Sequence, residues 1–210
     1  MSCTNVEMKF TEYNDRYPEY TKSEALILEA LLKKHGYLHE VDGKSSFHMG
    51  STSIVGMPGK PIIDITLTTR GLLPDVPQEF IDTMKKRNYI YWGAAPHMMS
   101  KAHDQWFYEK LPEGSKADHS FVIHFIDGTH DASVSGMRDF LDYRDYCNSD
   151  RSAFKKYRDA KIGATEKTVD GKKTKATWME YQMGKSAVIE EIKASSKVWA
   201  DKQRNEQKNK

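Results

Sequence analysis

Residues 47–67 combine a turn of small residues with a single acid on an otherwise apolar segment. Gly50 permits a tight turn, and hydroxyl residues follow at 51–53. Backbone N–H groups in such a turn can bind an anion, and hydroxyls supply further donors. Asp64 lies among isoleucines, where a carboxylate costs free energy unless a cation or a hydrogen-bond donor compensates it. The pattern predicts a phosphate-binding turn beside a functional carboxylate; the alternative is a loop whose aspartate caps a helix.

A second candidate group is His124, which has apolar residues on both sides. Such a histidine is either a hydrogen-bonded core residue or a functional one. If its strand lies beside the strand of Asp64, the two side chains could hold a divalent metal ion or share a proton. The sequence alone leaves both interpretations open.

Basic residues form the third group. Residues 155–175 contain eight basic and three acidic side chains, a local charge of +5. Most of them are expected on solvated helix faces. Arg138 and Lys161 are the expected exceptions, able to reach a phosphate or carboxylate. Tyr181 and Lys185 are four residues apart and share one helical face, where the lysine either extends along the core or binds a ligand.

The composition limits the class of protein. With 210 residues, the chain predicts one domain or a compact domain with a helical appendage. A net charge of +2 confines any nucleic-acid affinity to a local patch. Cys3 and Cys147 are too few for a disulfide framework. Neither a signal peptide nor a membrane-spanning run is apparent, so we expect a soluble, cytoplasmic protein without a membrane partner.

Hydrophobic periodicity and turn residues predict the elements that position these groups. Helices are expected at residues 20–35, 78–88, 135–147, 150–165 and 177–199, and strands near residue 47, through Asp64, and at 89–92, 105–110 and 120–126. Loops are expected at residues 72–77, 93–101, 111–117 and 166–175, and a frayed tail after residue 200.

This order predicts an α+β fold, a mixed β-sheet flanked by helices with a C-terminal helical part. We expect an α/β core at residues 1–130, a helical region packed on it at 131–200 and a polar tail at 201–210.

Six segments of the chain resemble those of one family. They are Tyr-Asn-Asp-Arg-Tyr-Pro at 13–18, the run from His48 to Ile65, Ile-His-Phe at 123–125, Met-Arg-Asp-Phe-Leu at 137–141, Lys-Ile-Gly-Ala at 161–164, and Tyr181 to Ile189. Through them the sequence resembles the GrpB family of the DNA polymerase beta-like nucleotidyltransferase superfamily, nearly end to end.

The resemblance implies a nucleotidyltransferase-like fold in which a Gly-Ser turn holds a triphosphate and carboxylates bind two divalent ions. The superfamily pattern places two acids two residues apart and a third on a later strand. Here Asp64 is followed by Thr66, and His124 stands at the third position. The implied chemistry is therefore a single Mg²⁺ site at Asp64, acid–base chemistry between Asp64 and His124, or binding without transfer.

The resemblance and the residue types give one set of expected site residues. Asp64, His124 and Ser51 are the expected catalytic residues, Asp64 the expected metal ligand, and the expected phosphate or substrate contacts are His48, Gly50, Ser51, Thr52, Ser53, Lys60, Arg138, Lys161, Tyr181 and Lys185.

Three functions follow as expectations. The first is binding of a nucleotide or phosphorylated small molecule, with transfer of a nucleotidyl group. The second is an aminoacyl-tRNA-dependent enzyme similar to cyclodipeptide synthases, for which the basic region would contact tRNA; its Asp-Asp-x-x-Glu motif needs an Asp-Asp pair, which this sequence lacks. The third is a non-catalytic nucleotide- or coenzyme-binding module, suggested by bacterial relatives fused to a dephospho-coenzyme A kinase.

Overall fold

The computed structural model describes residues 10–71, 78–94, 106–110, 119–169 and 172–208. The chain divides into two compact units. The sheet unit comprises Asp15–Ser53 and Ile62–Phe140, and the helical unit comprises Met1–Asn14, Ile54–Pro61 and Leu141–Lys210. The loops predicted at 72–77 and 111–117, and most of that at 93–101, lie outside the described residues.

The sheet unit is built on one mixed sheet of five strands. The strands are β1 (Ser46–Met49), β2 (Ile62–Thr69), β3 (Tyr89–Ala94), β4 (Trp106–Lys110) and β5 (Ser120–Asp127), in the spatial order β1-β2-β5-β4-β3. The central pair, β2 and β5, is parallel, and the other pairs are antiparallel. Strand β3 extends to Ala94, so the prediction that a loop begins at residue 93 is wrong.

One face of the β2–β5 pair forms the core of the sheet unit. Side chains alternate between the faces of a strand, and Ile63, Ile65 and Leu67 are fully buried. The sheet unit also contains α1 (Tyr17–Lys34) and α2 (Gln78–Lys85). Phe80 of α2 meets Phe125 of β5 edge to face, with ring centres 5.7 Å apart. The alternate residues of the same strands therefore lie on the opposite face.

A buried ion pair joins α1 to the strands. The carboxylate of Glu24 accepts hydrogen bonds from the Tyr89 hydroxyl and from Lys110, whose Nζ lies 3.2 Å away. Lys110 also lies over the rings of Tyr89 and Phe121. A buried carboxylate needs such partners, because removal of one would leave an uncompensated charge. The cluster fixes α1 against the sheet and has a structural role.

The helical unit contains α4 (Arg151–Gly163), α5 (Trp178–Lys208) and the end of α3 (Asp131–Ser149), which begins in the sheet unit. Helices α4 and α5 pack against each other. A buried cluster holds this unit together: Ile54, Met57, Tyr143, Cys147, Ala153, Tyr157 and Ile192. None of the helices in the described ranges is both long and apolar enough to cross a bilayer.

Two sequence predictions for the helical unit are wrong. The loop expected at 166–175 is an antiparallel hairpin of β6 (Glu166–Val169) and β7 (Lys172–Lys175). The tail expected to fray after residue 200 continues α5 to Lys208. Arg204 there pairs with Asp201 in the preceding turn and with Asp142 of α3. Pairs at this spacing support a helix that is polar on all sides.

The predicted fold class, a mixed sheet flanked by helices with a C-terminal helical part, is confirmed. The predicted domain boundaries stay a prediction.

Candidate functional site

The polar face of the β2–β5 pair brings Asp64 and His124 together. In the parallel register Thr66 is the partner of His124, two residues beyond Asp64 on the same side of β2. The Nε2 atom of His124 lies 3.7 Å from Oδ1 of Asp64. The imidazole is 1% exposed and the carboxylate 25% exposed. The strand of His124 thus lies beside the strand of Asp64, which the sequence had left open, and the carboxylate is the part of the pair that solvent reaches.

Gly50 closes the site from the adjacent strand. It follows β1, whose last residue, Met49, is the register partner of Asp64. Its φ of +67° favours glycine. A Cβ atom at this position would lie 2.1 Å from Oδ2 of Asp64. The carboxylate thus rests directly on the glycine backbone, and both the conformation and the close approach require Gly50.

The turn after Gly50 is held by its own hydroxyls. Residues Ser51–Ser53 form one turn of 3₁₀ helix. The Ser53 hydroxyl donates to the Gly50 carbonyl at 2.6 Å, and the Thr52 hydroxyl donates to the Ile62 carbonyl at 3.2 Å. His48 Nε2 lies 3.1 Å from the Thr52 hydroxyl oxygen. Thr52 and Ser53 therefore shape the turn, while Ser51 is partly exposed beside it.

Thr66 occupies the position at which the superfamily pattern places a second acid. It is 1% exposed. Its hydroxyl oxygen has no hydrogen-bond partner among the residues that the structure describes. Buried hydroxyls are usually paired, so an unpaired one next to a candidate site is notable. A neutral side chain here leaves Asp64 as the sole carboxylate among the three positions.

A second group of predicted residues meets in the helical unit around Tyr181. The Nζ atom of Lys185 lies 4.6 Å from the Tyr181 ring centre, and that of Lys60 lies 5.8 Å from it and 5.2 Å from the ring of Trp178. Burial raises the pKa of Tyr181, so its phenol stays neutral. Two ammonium groups therefore share one aromatic platform. Sequence reasoning missed Trp178, although its spacing of three from Tyr181 places both on one helix face.

The last two predicted residues lie in different surroundings. Lys161 is 1% exposed in the helical unit, with Nζ 5.2 Å from the ring centre of Tyr157. Arg138, in the sheet unit, is half exposed and forms an ion pair with Asp42, with Nη2 2.8 Å from Oδ2. Lys161 is therefore buried rather than part of a basic surface, and the Arg138 guanidinium forms an ion pair with a carboxylate.

Comparison with known families decides the assignment. The family model described as GrpB protein matches residues 7–195, most of the chain. The chain belongs to the GrpB family. A curated relative, UPF0157 protein BH1888 of Halalkalibacterium halodurans, is 25% identical over 191 residues, which cover 90% of this chain and 82% of the relative.

Solved structures agree with this assignment. The crystal structure of the conserved protein GrpB from Enterococcus faecalis is 23% identical, with a TM-score of 0.58, and the match covers 91% of this chain and 99% of that one. A cytoplasmic RNA terminal U-transferase is also similar, at 10% identity and a TM-score of 0.38 over 72% of this chain and 44% of that one. The first match shows the fold; the second is too distant to support a conclusion about activity.

The residues around Asp64 do not fit the two-ion centre that the sequence resemblance implies. Within the described ranges no group of three or more His, Cys, Asp or Glu side chains could hold a metal ion. Mg²⁺ prefers oxygen ligands and needs carboxylates for charge. Asp64 supplies one, Thr66 is neutral, and the nearest partner of Asp64 is the nitrogen of His124. The described residues therefore do not form such a centre, and a single Mg²⁺ site at Asp64 stays a prediction.

Proposed function

We propose that this GrpB protein binds a nucleotide or another phosphorylated small molecule in its sheet unit, at the turn that follows Gly50 and beside Asp64 and His124. One observation carries the proposal: a solvent-reachable carboxylate lies 3.7 Å from a buried imidazole and rests on a glycine that admits no side chain.

The negative charge of Asp64 determines which part of the ligand binds at the turn and which part binds at the carboxylate. A carboxylate repels a phosphate, so the phosphate belongs at the turn, where Ser51 and the backbone N–H groups are donors. Asp64 then accepts a hydrogen bond from a hydroxyl of the ligand or of an acceptor molecule. A Mg²⁺ ion bound to the phosphates of a nucleotide would enter as part of the substrate and reduce the repulsion.

Transfer of a nucleotidyl group is the second part of the proposal. An acceptor hydroxyl gives its proton to the Asp64–His124 pair while its oxygen attacks the α-phosphorus. A new O–P bond forms, the bond to the bridging oxygen of pyrophosphate breaks, and pyrophosphate leaves with that electron pair. Positioning of the acceptor beside Asp64 would supply part of the rate enhancement by lowering the entropic cost of the reaction.

Binding is tested by isothermal titration with ATP and the other nucleoside triphosphates, with and without Mg²⁺. We expect binding by the natural chain and a loss of about tenfold in affinity for Asp64→Asn and Ser51→Ala, since each removes one polar ligand contact. Asp139→Asn, which removes a carboxylate from an exposed position on α3, is the matched control. Absence of binding at millimolar nucleotide would refute the proposal.

Transfer is tested by release of pyrophosphate in the presence of candidate acceptors. We expect turnover that Asp64→Asn and His124→Asn abolish and Asp139→Asn preserves. The neutral Thr66 and the imidazole at the third position favour one alternative, a binding module without turnover. Nucleotide binding that is indifferent to Mg²⁺, together with no pyrophosphate release, would establish that alternative.

A further inference from the structure

The helical unit contains an open pocket of about 600 Å³ between the turn at residues 54–57 and the junction of α3 with α4. Its lining includes Val55, Phe154 and three cationic side chains, Arg151, Lys155 and Arg158. Pockets of a few hundred cubic ångströms suit small organic ligands. None of the residues discussed for Asp64 or Tyr181 lines it.

The cationic residues of this pocket share one face of α4. Arg151, Phe154, Lys155 and Arg158 follow the spacing i, i+3, i+4 and i+7, which places side chains in one stripe. In an amphipathic helix such a stripe is apolar and faces the core. Here it carries three positive charges around one aromatic ring and lines a pocket instead.

The ion pairs that Lys155 and Arg158 form with Asp159 do not prevent these two cations from binding a ligand. Asp159 accepts hydrogen bonds from Lys155 at 2.6 Å and from Nε and Nη2 of Arg158 at 3.1 Å and 2.9 Å. Both pairs are exposed, and exposed pairs contribute little stability, so a ligand phosphate can compete for these cations. The planar Arg guanidinium suits paired contacts with phosphate oxygens.

The walls of the pocket are fixed by the fold. The backbone N–H of Val55 donates to Oδ1 of Asn148 at 2.9 Å, which ties the 54–57 turn to the end of α3. The buried Cys147 lies in the lining, and it also belongs to the core cluster of the helical unit together with Ile54 and Met57. Burial raises the pKa of the Cys147 thiol to about 12, so it adds no negative charge to the lining.

We infer that this pocket binds a small organic phosphate, with its phosphate on Arg151, Lys155 and Arg158 and its organic part against Phe154 and Val55. The three cations select an anion, the aromatic ring and the valine select an apolar or planar group, and the volume limits its size. This site lies in the helical unit and does not depend on the proposed function of Asp64.

Amide chemical-shift mapping by NMR tests the inference, with ADP and inorganic pyrophosphate as probes in the presence of EDTA. We expect a shift at the amide of Ala153 with both probes and a shift at the amide of Val55 with ADP. The double variant Arg151→Gln/Arg158→Gln should lower the affinity for both ADP and pyrophosphate by about tenfold or more, since two charge-assisted contacts are lost. Arg87→Gln, at an exposed arginine of the sheet unit, is the matched control.

A second variant separates the two parts of the pocket. Phe154→Leu should lower the affinity for ADP more than the affinity for pyrophosphate, since pyrophosphate has no organic part. Asp64→Asn should leave these shifts unchanged, so loss of the site beside Asp64 is distinguishable from loss of this one. Absence of shifts at Val55 and Ala153 at millimolar probe, or equal affinities in the double variant and the natural chain, would overturn the inference. So would tighter pocket-dependent binding of a single-stranded oligonucleotide than of ADP, because the ligand would then be a nucleic acid.

Discussion

The two faces of the β2–β5 pair consist of alternate residues of the same two strands. One face carries Ile63, Ile65 and Ile123, all fully buried. The other carries Asp64, Thr66 and His124, with a carboxylate that solvent reaches. The first face stabilises the fold through apolar burial, whereas the second places polar side chains, two of them buried, at the candidate site. Stability and function are therefore divided residue by residue along one strand, and substitutions one position apart should have different effects.

Truncation of the apolar face should have the largest effect. Ile65→Ala leaves a cavity in a fully buried position and should lower the free energy of unfolding by about 2–5 kcal/mol. Urea denaturation measures this change. Ile90→Ala, at a 41% exposed isoleucine of β3, is the control and should cost much less. Equal losses in the two variants would mean that the two faces are not divided as described.

Gly50→Ala should disturb both stability and the site. An alanine with this φ costs about 1–2 kcal/mol, and its Cβ would displace the Asp64 carboxylate. Gly36→Ala is the matched control, since Gly36 has a φ of +74° and no atom within 4 Å of the added Cβ. Both variants should lose stability in denaturation, but nucleotide affinity should fall in Gly50→Ala alone. A parallel loss of affinity in the control would assign the effect to general destabilisation.

Asp127, the last residue of β5, is an aspartate with a structural role, in contrast to Asp64. Burial would raise the pKa of Asp127, but hydrogen bonds from the Thr129 hydroxyl, the Thr129 N–H and the Gly71 N–H outweigh it, and the pKa is lowered. A lowered pKa contributes stability above the unfolded pKa of about 4, which is lost as the pH falls through the lower folded pKa.

Asp127→Asn should therefore reduce stability by about 1 kcal/mol at neutral pH. The difference from the natural chain should shrink below about pH 4, because the unfolded aspartate is then protonated. Thermal unfolding as a function of pH measures both values. A difference that does not change with pH would show that the charge of Asp127 contributes nothing.

Thr66→Val should have the smallest effect on stability. The variant keeps the shape and removes a buried hydroxyl that has no partner in the described part of the chain, so stability should change by less than about 1 kcal/mol. A loss above that value in denaturation would reveal a hydrogen bond to the hydroxyl. Unchanged stability with weakened nucleotide binding would place Thr66 in contact with the ligand.

The sequence predicted the elements better than their arrangement. The 3.6-residue periodicity of α1 and the apolar run of β2 identified both elements to within a few residues. The contact of Asp64 with His124 depended on the strand order, which local patterns do not specify. Composition also misled the prediction of one segment. The lysine-rich residues 166–175 have the composition of a loop, but they pair as β6 and β7.

The candidate site was only partly predictable for the same reason. The turn after Gly50 and the lone acid were visible as residue types, whereas the buried positions of Thr66 and Lys161 depend on tertiary packing. The pocket at Arg151 was missed because a charged stripe at helical spacing usually indicates a solvated face. Here the turn at residues 54–57 supplies the opposite wall, and the sequence does not show that contact.

The parallel pairing of β2 with β5 also has a consequence for folding kinetics. Asp64 and His124 are 60 residues apart in the chain, and the pairing that joins them encloses α2, β3 and β4. Closure of so long a segment lowers the entropy of the chain before the favourable contacts between the strands form, and non-local pairing slows folding for this reason. The antiparallel pair β1–β2 needs a much shorter closure. We therefore expect a refolding chain to acquire the nucleotide binding proposed beside Asp64 only after β5 has paired with β2, so that this binding reports formation of the non-local pair.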